Sequence, residues 1–330
     1  MKQITIGTRA SKLALIQTNW VVQRLRHHWP DLQIIIEHIR TTGDRIHNVP
    51  LSQIGGDGVF VTEIEHALED CRIDLAVHSL KDLPTVQPAA LSIVTTGPRE
   101  DVRDVLVSRN TMDGQEAIDI HEVLSDAVRI GTCSLRRMAQ LRAMYPDREI
   151  LPLRGNVDTR LRKLENGEYD AIVLAAAGLH RMDIQGRLAG RVHYFPLELM
   201  MPAPGQGALA LEIRDEPEMR ALLAPLQDSL VQATTSAERM FMRHLGAGCY
   251  LPVAAIGEIV DHTLTLTGLV ISLDGQQQVR VRQYMSWTAE TNIEHVEQLG
   301  VKLAEQALAN GAGSIIQDID TLRIQERQHV

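Results

Sequence analysis

Apolar positions near the start of the chain switch between two periods. Gln3-Ile4-Thr5-Ile6 is short and β-prone and predicts a strand, closed by the small and polar residues Gly7-Thr8-Arg9-Ala10-Ser11. From about Lys12 the spacing becomes helical, with Leu13, Leu15, Ile16, Trp20, Val21 and Leu25 on one face until Pro30-Asp31 stops it. Leu32 to Ile39 reads as a second strand. The same order returns from Val128: a strand ending in Gly131-Thr132-Cys133-Ser134, a helix from about Leu135, Tyr145-Pro146-Asp147, and a strand from Glu149 to Leu153. The second helix is shorter by about two turns. Ile73 to Val77, a buried-strand pattern, is echoed by Tyr169 to Leu174. Several landmarks repeated in order predict two similar α/β lobes.

Two breaks interrupt this pattern. Thr95 to Asp101, with Gly97-Pro98, reads as a linker between the lobes, and Met200 to Gly207 reads as a second. If the apolar strand Ala208 to Ile213 rejoins the first lobe, the chain crosses twice and the crossings form a hinge. The expected division is 1–98 plus 203–219 for a discontinuous first lobe, 99–202 for the second, and 220–330 for a small α+β domain. In that last part, a helix runs through Thr235 to His244, and Asp274-Gly275 joins strands at Leu264 to Ile271 and Val279 to Tyr284. A closing helix carries Val296, Leu299, Leu303 and Ala307 on one face and stops near Asn310-Gly311.

Composition narrows the function classes. A length of 330 residues predicts two or three domains, and 44% hydrophobic with 23% charged residues describes an ordinary globular protein. The amino-terminal residues enter a strand pattern directly, without a signal-peptide apolar region, and no apolar run is long enough to span a membrane. Three widely separated cysteines, Cys71, Cys133 and Cys249, form neither a disulfide framework nor zinc-ligand spacing. They point to a reducing, cytoplasmic compartment and to no metal site. A net charge of −9 with 3% aromatic residues argues against nucleic acid as a partner.

Against that acidic background, residues 129–163 hold nine basic and three acidic side chains. Arg136 and Arg137 stand at the head of a helix, where they oppose the macrodipole. Arg9, Arg154, Arg160 and Arg181 sit at or just beyond the carboxyl ends of predicted strands, where α/β folds bind ligands. Arginine forks grip carboxylates and phosphates. The pattern therefore predicts a site for a ligand bearing several carboxylates or phosphates. Ser11 and Ser134 are placed to cap the two repeated helices or to donate to an anion. The abrupt Ser79-Leu80-Lys81-Asp82-Leu83-Pro84 puts a carboxylate, Asp82, at the rim of an apolar interior, a position suited to acid–base work. The plainer reading makes Lys81 and Asp82 solvated capping residues. Cys249 lies among Gly246, Gly248 and Pro252, a tight loop in which a thiol can be reached by a ligand.

Taken together, these words resemble the hydroxymethylbilane synthase (porphobilinogen deaminase) family: Gly-Thr-Arg-Ala-Ser at 7–11, Thr-Thr-Gly-Asp at 41–44, Ala-Val-His-Ser-Leu-Lys-Asp-Leu-Pro at 76–84, Gly-Thr-Cys-Ser-Leu-Arg-Arg at 131–137, Leu-Arg-Gly-Asn-Val-Asp-Thr-Arg at 153–160, Pro-Gly-Gln-Gly at 204–207 and Gly-Cys at 248–249. The resemblance implies two lobes like a type II periplasmic binding protein, joined by a two-strand hinge, plus a third domain. It implies a covalent dipyrromethane cofactor on Cys249 through a thioether, four porphobilinogens joined in turn, and release of the linear tetrapyrrole by water. It implies Asp82 facing the pyrrole nitrogens. Lys81, Ser79, Thr132, Ser134, Arg136, Arg137, Arg154 and Arg160 would hold the cofactor, and Arg9, Ser11, Arg181, Phe60 and Gln206 the substrate.

Family members often carry lysine where this chain has Asp57 and Thr62, so the 55–62 loop departs from the pattern. The resemblance further implies a monomer acting on a small molecule, with no nucleic acid or membrane partner. The rivals are a non-catalytic two-lobe binding module for a polyanionic small molecule and a phosphoribosyl-transferring enzyme on a similar lobe pair.

Overall fold

The computed structural model describes residues 2–45, 61–111, 120–248 and 251–328. Cys249, Phe60 and Asp57 lie outside the described residues. In the first lobe, β1 (Gln3–Thr8), α1 (Lys12–His28), β2 (Gln33–His38), α2 (Thr62–Glu69), β3 (Leu75–Ser79) and β4 (Leu91–Thr96) follow in order. The second lobe contains β5 (Asp104–Ser108), α3 (Ile120–Asp126), β6 (Arg129–Gly131), α4 (Leu135–Met144), β7 (Glu149–Leu151), α5 (Val157–Glu165), β8 (Ala171–Ala175), α6 (Ala176–Arg181) and β9 (Val192–Tyr194). The chain then returns as β10 (Leu209–Arg214) and α7 (Pro217–Leu223).

The two five-stranded sheets have orders β2-β1-β3-β10-β4 and β7-β6-β8-β5-β9. Each begins with three parallel strands, followed by an antiparallel strand next to a crossing: β10 in the first sheet and β5 in the second. The strand after the second crossing does rejoin the first sheet, pairing with β3 and β4. This duplicated order is the type II periplasmic-binding-protein-like arrangement. The echo between Ile73–Val77 and Tyr169–Leu174 has a shared local cause. Asp74 accepts from the Thr5 amide at 2.8 Å while its own amide donates to Thr5. Asp170 does the same with Arg129, accepting at 3.0 Å. In each lobe an aspartate entering the third strand thus fixes its register against the first.

Cores lie on both faces of each sheet, as parallel strands require. Ile4, Ile6, Leu75, Val77 and Leu211 pack with Val21 and Leu25 of α1, and with Met219, Leu222 and Leu223 of α7. Val105, Ile172 and Leu174 pack with Leu161 and Leu164 of α5. The third domain has α8 (Ser229–His244), an antiparallel sheet of β11 (Val253–Val260), β12 (Thr263–Ile271) and β13 (Gln278–Ser286), then α9 (Ile293–Ala307) and α10 (Gly313–Gln328). Phe241 of α8, Leu266 of β12 and Val296 and Leu303 of α9 form its core. Gly311 (φ +100°) ends the α9 segment where expected, but a further helix follows. Gly257 in β11 is required by close approach, since a Cβ there would lie 3.0 Å from the Thr234 carbonyl oxygen. Among the described residues, no helix is long and apolar enough to cross a membrane.

Candidate active site

A cavity of about 690 Å³ opens between the lobes and takes its walls from strand ends and helix starts on both sides. The repeated turn works alike in each lobe. Ser11 caps α1 by accepting from the Ala14 amide, and Ser134 caps α4 by accepting from the Arg137 amide, both at 3.4 Å. Ser11 lines the cavity, whereas Ser134 and the buried Thr132 do not. Thr132 Oγ1 instead accepts from the Ser134 amide at 3.2 Å, which shapes the turn.

After β3 the chain makes one 3₁₀ turn, Leu80–Asp82. Leu80 and Leu83 are driven into an apolar cluster with Val61, Ala208 and Ala210, and this leaves Lys81 and Asp82 on the cavity side. They are therefore not the cap of a following helix. Lys81 Nζ donates to Gln206 Oε1 at 3.2 Å. Gln206, fully buried, donates from Nε2 to the Val102 carbonyl at 2.7 Å and to Asp104 Oδ1 at 2.9 Å. Ser79 lines the cavity too, its Oγ accepting from Gln17 Nε2 at 3.0 Å.

Arg137 reaches the cavity from α4, with Nη2 held by Asp104 Oδ1 at 2.7 Å and Nη1 by the Val173 carbonyl at 3.0 Å. Arg136, expected beside it at the ligand, does not line the cavity. Its Nη1 donates to Asp104 Oδ2 at 2.7 Å and to the Met201 carbonyl at 2.6 Å. Asp104 supplies the countercharge that two arginines at a helix head lack locally. Burial alone would raise the Asp104 carboxyl, but Arg136 and Arg137 outweigh it and hold it far below the usual range.

Arg9, Arg154, Arg160 and Arg181 line the cavity as expected from their strand-end positions. Arg160 Nε donates to the Gly155 carbonyl and Arg181 Nη2 to the Gly207 carbonyl, both at 2.7 Å. Arg154 has no hydrogen-bond partner among the described residues. The cations are short of water: burial, then Arg137, pushes Arg160 down, and burial brings Arg181 to about 10 against the pull of Glu100. Burial, followed by repulsion from Arg137, lowers Lys81 to about 8, although Asp82 and Asp104 oppose this. Around the described wall stand seven cations, Arg9, Arg40, Lys81, Arg137, Arg154, Arg160 and Arg181, and a single carboxylate, Asp82. A ligand with several carboxylates would relieve the mutual repulsion of these clustered charges, of which Lys81, Arg160 and Arg181 are desolvated.

Several lining residues went unread in the sequence. Arg40 follows β2 just as Arg9 follows β1, so the strand-end rule applied to the second strand would have found it. Gln17 and Cys133 also line the wall. Asp104, the anchor of Arg136 and Arg137, had no local signal, because it precedes them by more than thirty residues.

Comparison with known proteins finds relatives along nearly the whole chain. Residues 4–221 match the family model described as "Porphobilinogen deaminase, dipyromethane cofactor binding domain", and residues 233–309 match "Porphobilinogen deaminase, C-terminal domain". A porphobilinogen deaminase of Syntrophotalea carbinolica is 45% identical over 318 residues, covering 96% of each chain. That of Syntrophobacter fumaroxidans is 44% identical over 317 residues, covering 96% of this chain and 97% of the relative. The Deinococcus radiodurans protein is 44% identical over 322 residues, covering 97% and 99%. Among solved structures, the BenM effector binding domain with benzoate aligns at 14% identity and TM-score 0.41, over 68% of this chain and 90% of that one. The Bordetella pertussis BvgS periplasmic VFT2 domain aligns at 16% identity and TM-score 0.38, over 68% and 85%. On the two family matches and the full-length relatives, the chain belongs to the porphobilinogen deaminase family.

Proposed function

We propose that the protein is a hydroxymethylbilane synthase, which joins four porphobilinogens head to tail with loss of ammonia and releases the linear tetrapyrrole to water. The observation that carries the reading is one carboxylate, Asp82, set among seven cations in the interlobe cavity. Each pyrrole of substrate or cofactor brings an acetate and a propionate, which suits that wall. The dipyrromethane fits the same chemistry: Arg154, Arg160 and Lys81 are desolvated or lack a protein carboxylate of their own. Lys81, Ser79, Arg137, Arg154 and Arg160 would hold it, with Cys249 as its thioether anchor. Bound there, it supplies the pyrrole carbon to which the first new ring is joined.

The chain's own residues do the rest. As the aminomethyl C–N bond of porphobilinogen breaks and nitrogen leaves with the electron pair, positive charge spreads onto the pyrrole ring. Asp82 stabilises that charge, because its carboxylate already stands in the cavity wall when the charge develops. It also accepts the ring N–H and can pass on the proton lost when the new C–C bond forms. Arg9, Ser11 and Arg181 orient the incoming ring, while Gln206, expected beside the substrate, is fully buried and acts by holding Lys81 against Asp104. Thr132, Ser134 and Arg136 act by holding the turn and Arg137 in place.

The sheet memberships support the division into lobe 1 (1–98 with 203–219), lobe 2 (99–202) and an α+β domain (220–330), with α7 and Leu226 extending the first lobe's core to about residue 227. Free Cys71 and Cys133 support work in the cytoplasm, and the protein is proposed to act as a monomer.

The test is intact-protein mass with a turnover assay. Wild type should carry a covalent excess of two linked pyrroles, and Cys249→Ala should fold without it and form no product. Asp82→Asn should keep the cofactor while turnover falls ~10²–10³-fold. An unmodified wild-type polypeptide that binds porphobilinogen without converting it would mark a binding module instead.

A further inference from the structure

We propose that Arg40 is an additional carboxylate-binding residue that captures incoming porphobilinogen at the first-lobe side of the cavity; the proposal rests on the functional reading above. Arg40 follows β2 by one buried residue, Ile39, whose amide donates to the Thr8 carbonyl at 2.9 Å. In the parallel register Thr8 pairs with His38, so Arg9 and Arg40 follow the ends of neighbouring strands. Both line the main cavity. A smaller annex of about 70 Å³ is bounded by Arg9, Ser11, Ser79 and Asp82 but not by Arg40. Arg40 thus shares the main cavity with Asp82 but has no part in the annex beside it.

Its bonding state differs from that of the deeper cations. Arg137, Arg160 and Arg181 are already held by Asp104, Gly155 and Gly207. Arg40 is exposed and makes no hydrogen bond or ion pair with any described residue. A solvated guanidinium loses little hydration when it swings onto a carboxylate, and the bond it forms is charge-assisted. The protein carries a net charge of −9, so a dicarboxylate approaching it meets a repulsive field that a positive rim offsets locally. The acetate and propionate of porphobilinogen keep their charge as the aminomethyl C–N bond breaks, so the bond of Arg40 to one of them should be equally strong before and during cleavage. That is uniform binding, which lowers KM without raising kcat.

The test compares wild type, Arg40→Gln and Arg40→Lys as holoenzymes. KM for porphobilinogen should rise roughly tenfold in Arg40→Gln, as for the loss of one charge-assisted bond, with kcat within about twofold. Arg40→Lys should recover part of the loss. The dependence of KM on salt should be shallower in Arg40→Gln, since exposed charges act within a Debye length of ~10 Å at 0.1 M. With turnover slowed, titrating porphobilinogen into Asp82→Asn over a time short against its residual turnover should give a Kd roughly tenfold tighter than into Asp82→Asn/Arg40→Gln. Intact mass should show the same covalent cofactor in every Arg40 variant. Unchanged KM and salt slope would overturn the proposal, leaving Arg40 a solvated surface residue. A fall in kcat at constant KM, or loss of cofactor, would overturn it by placing Arg40 with the chemistry or the cofactor. Wild-type protein that forms no product would instead sink the functional reading itself.

Discussion

Lys81 shows how much the wall depends on its neighbours. Burial and Arg137 bring its ammonium to about 8, so near neutral pH it is mostly charged and above that it begins to lose its proton. A bound carboxylate favours the charged form, so binding raises the lysine's affinity for its proton. Between about 8 and the raised value, binding takes up a proton, and affinity must fall as pH climbs. The affinity of the cofactor-free enzyme for its dipyrromethane should therefore weaken above pH 8, by up to ~10-fold per unit. Lys81→Arg, which stays charged, should flatten that limb, and cofactor loading of the apoenzyme followed by intact mass across pH 6.5–9.5 checks it. A limb that persists in Lys81→Arg would assign the titration to another group. At this scale the sequence was informative about which residue types gather, less so about which way each turns. Arg136 and Arg137 are adjacent in one helix, and successive helical side chains point about 100° apart. Asp104, distant in sequence, holds both, and their second partners part them: the Met201 carbonyl takes Arg136 and the Val173 carbonyl takes Arg137.

That pairing also ties elements together, because Asp104 opens β5 while Arg136 and Arg137 head α4. Removing one partner of a buried ion pair leaves uncompensated charge, and here it would leave two guanidiniums. Asp104→Asn should cost ~3–5 kcal/mol, read as a large fall in melting temperature. Arg220→Ala, which breaks the half-exposed pair with Asp215, should leave melting unchanged. The sign with pH follows from the cause: Asp104 is held below its ordinary value, so its contribution is complete above ~4 and is lost only in stronger acid. Equal melting of Asp104→Asn and wild type would mean the arginines find other partners. Repeated βα units were legible because period and turn residues agree in both lobes. β11 was not, because Val253 to Ile256 is apolar throughout. Val253 and Ala255 pack toward Phe241 and α9, while Ala254 and Ile256 pack toward Ala139 and Met201. A strand buried on both faces shows no alternation. α10 was missed because Gly311 was read as the end of the chain's regular structure, whereas it marks a kink between helices.

Across the whole molecule the three parts meet at one carboxylate. Glu238 of α8 is fully buried and binds Arg99, from the first crossing, through both oxygens at 2.7 and 2.9 Å. It also accepts from Gly205 in the second crossing and from Gly257 in β11, both at 2.7 Å. Arg99 Nε in turn donates to the Gln206 carbonyl at 2.9 Å. Gly207 holds φ +87°, and a Cβ there would lie 2.3 Å from the Glu100 carbonyl oxygen, so the two crossings run in close contact. The sequence marked both crossings by their Gly and Pro residues, but nothing local signals that a third-domain glutamate joins them. The cavity wall is thus built from two lobes held by one joint, and its arginines occupy different places along it. Arg9 stands on the first lobe, Arg137, Arg154 and Arg160 on the second, and Arg181 grips the second crossing through Gly207. Clamps so placed should not serve every addition equally. One that holds the permanent cofactor is needed before any turnover, one that meets the incoming ring at every step, and one that meets only the displaced chain late. Losing a buried charge-assisted clamp costs ~1.5–3 kcal/mol, enough to stall one step without unfolding a lobe. Single Arg→Gln changes at 9, 137, 154, 160 and 181 should therefore fall into classes by intact mass after limited substrate. Arg137→Gln is expected to lack cofactor, and Arg136→Gln to follow it through loss of the Asp104 anchor. Arg154→Gln and Arg160→Gln should load cofactor poorly, and Arg9→Gln and Arg181→Gln should stall with mass increments of one, two or three pyrrole units. Identical ladders with uniformly slower turnover in every variant would mean that the cations act only as a diffuse positive field.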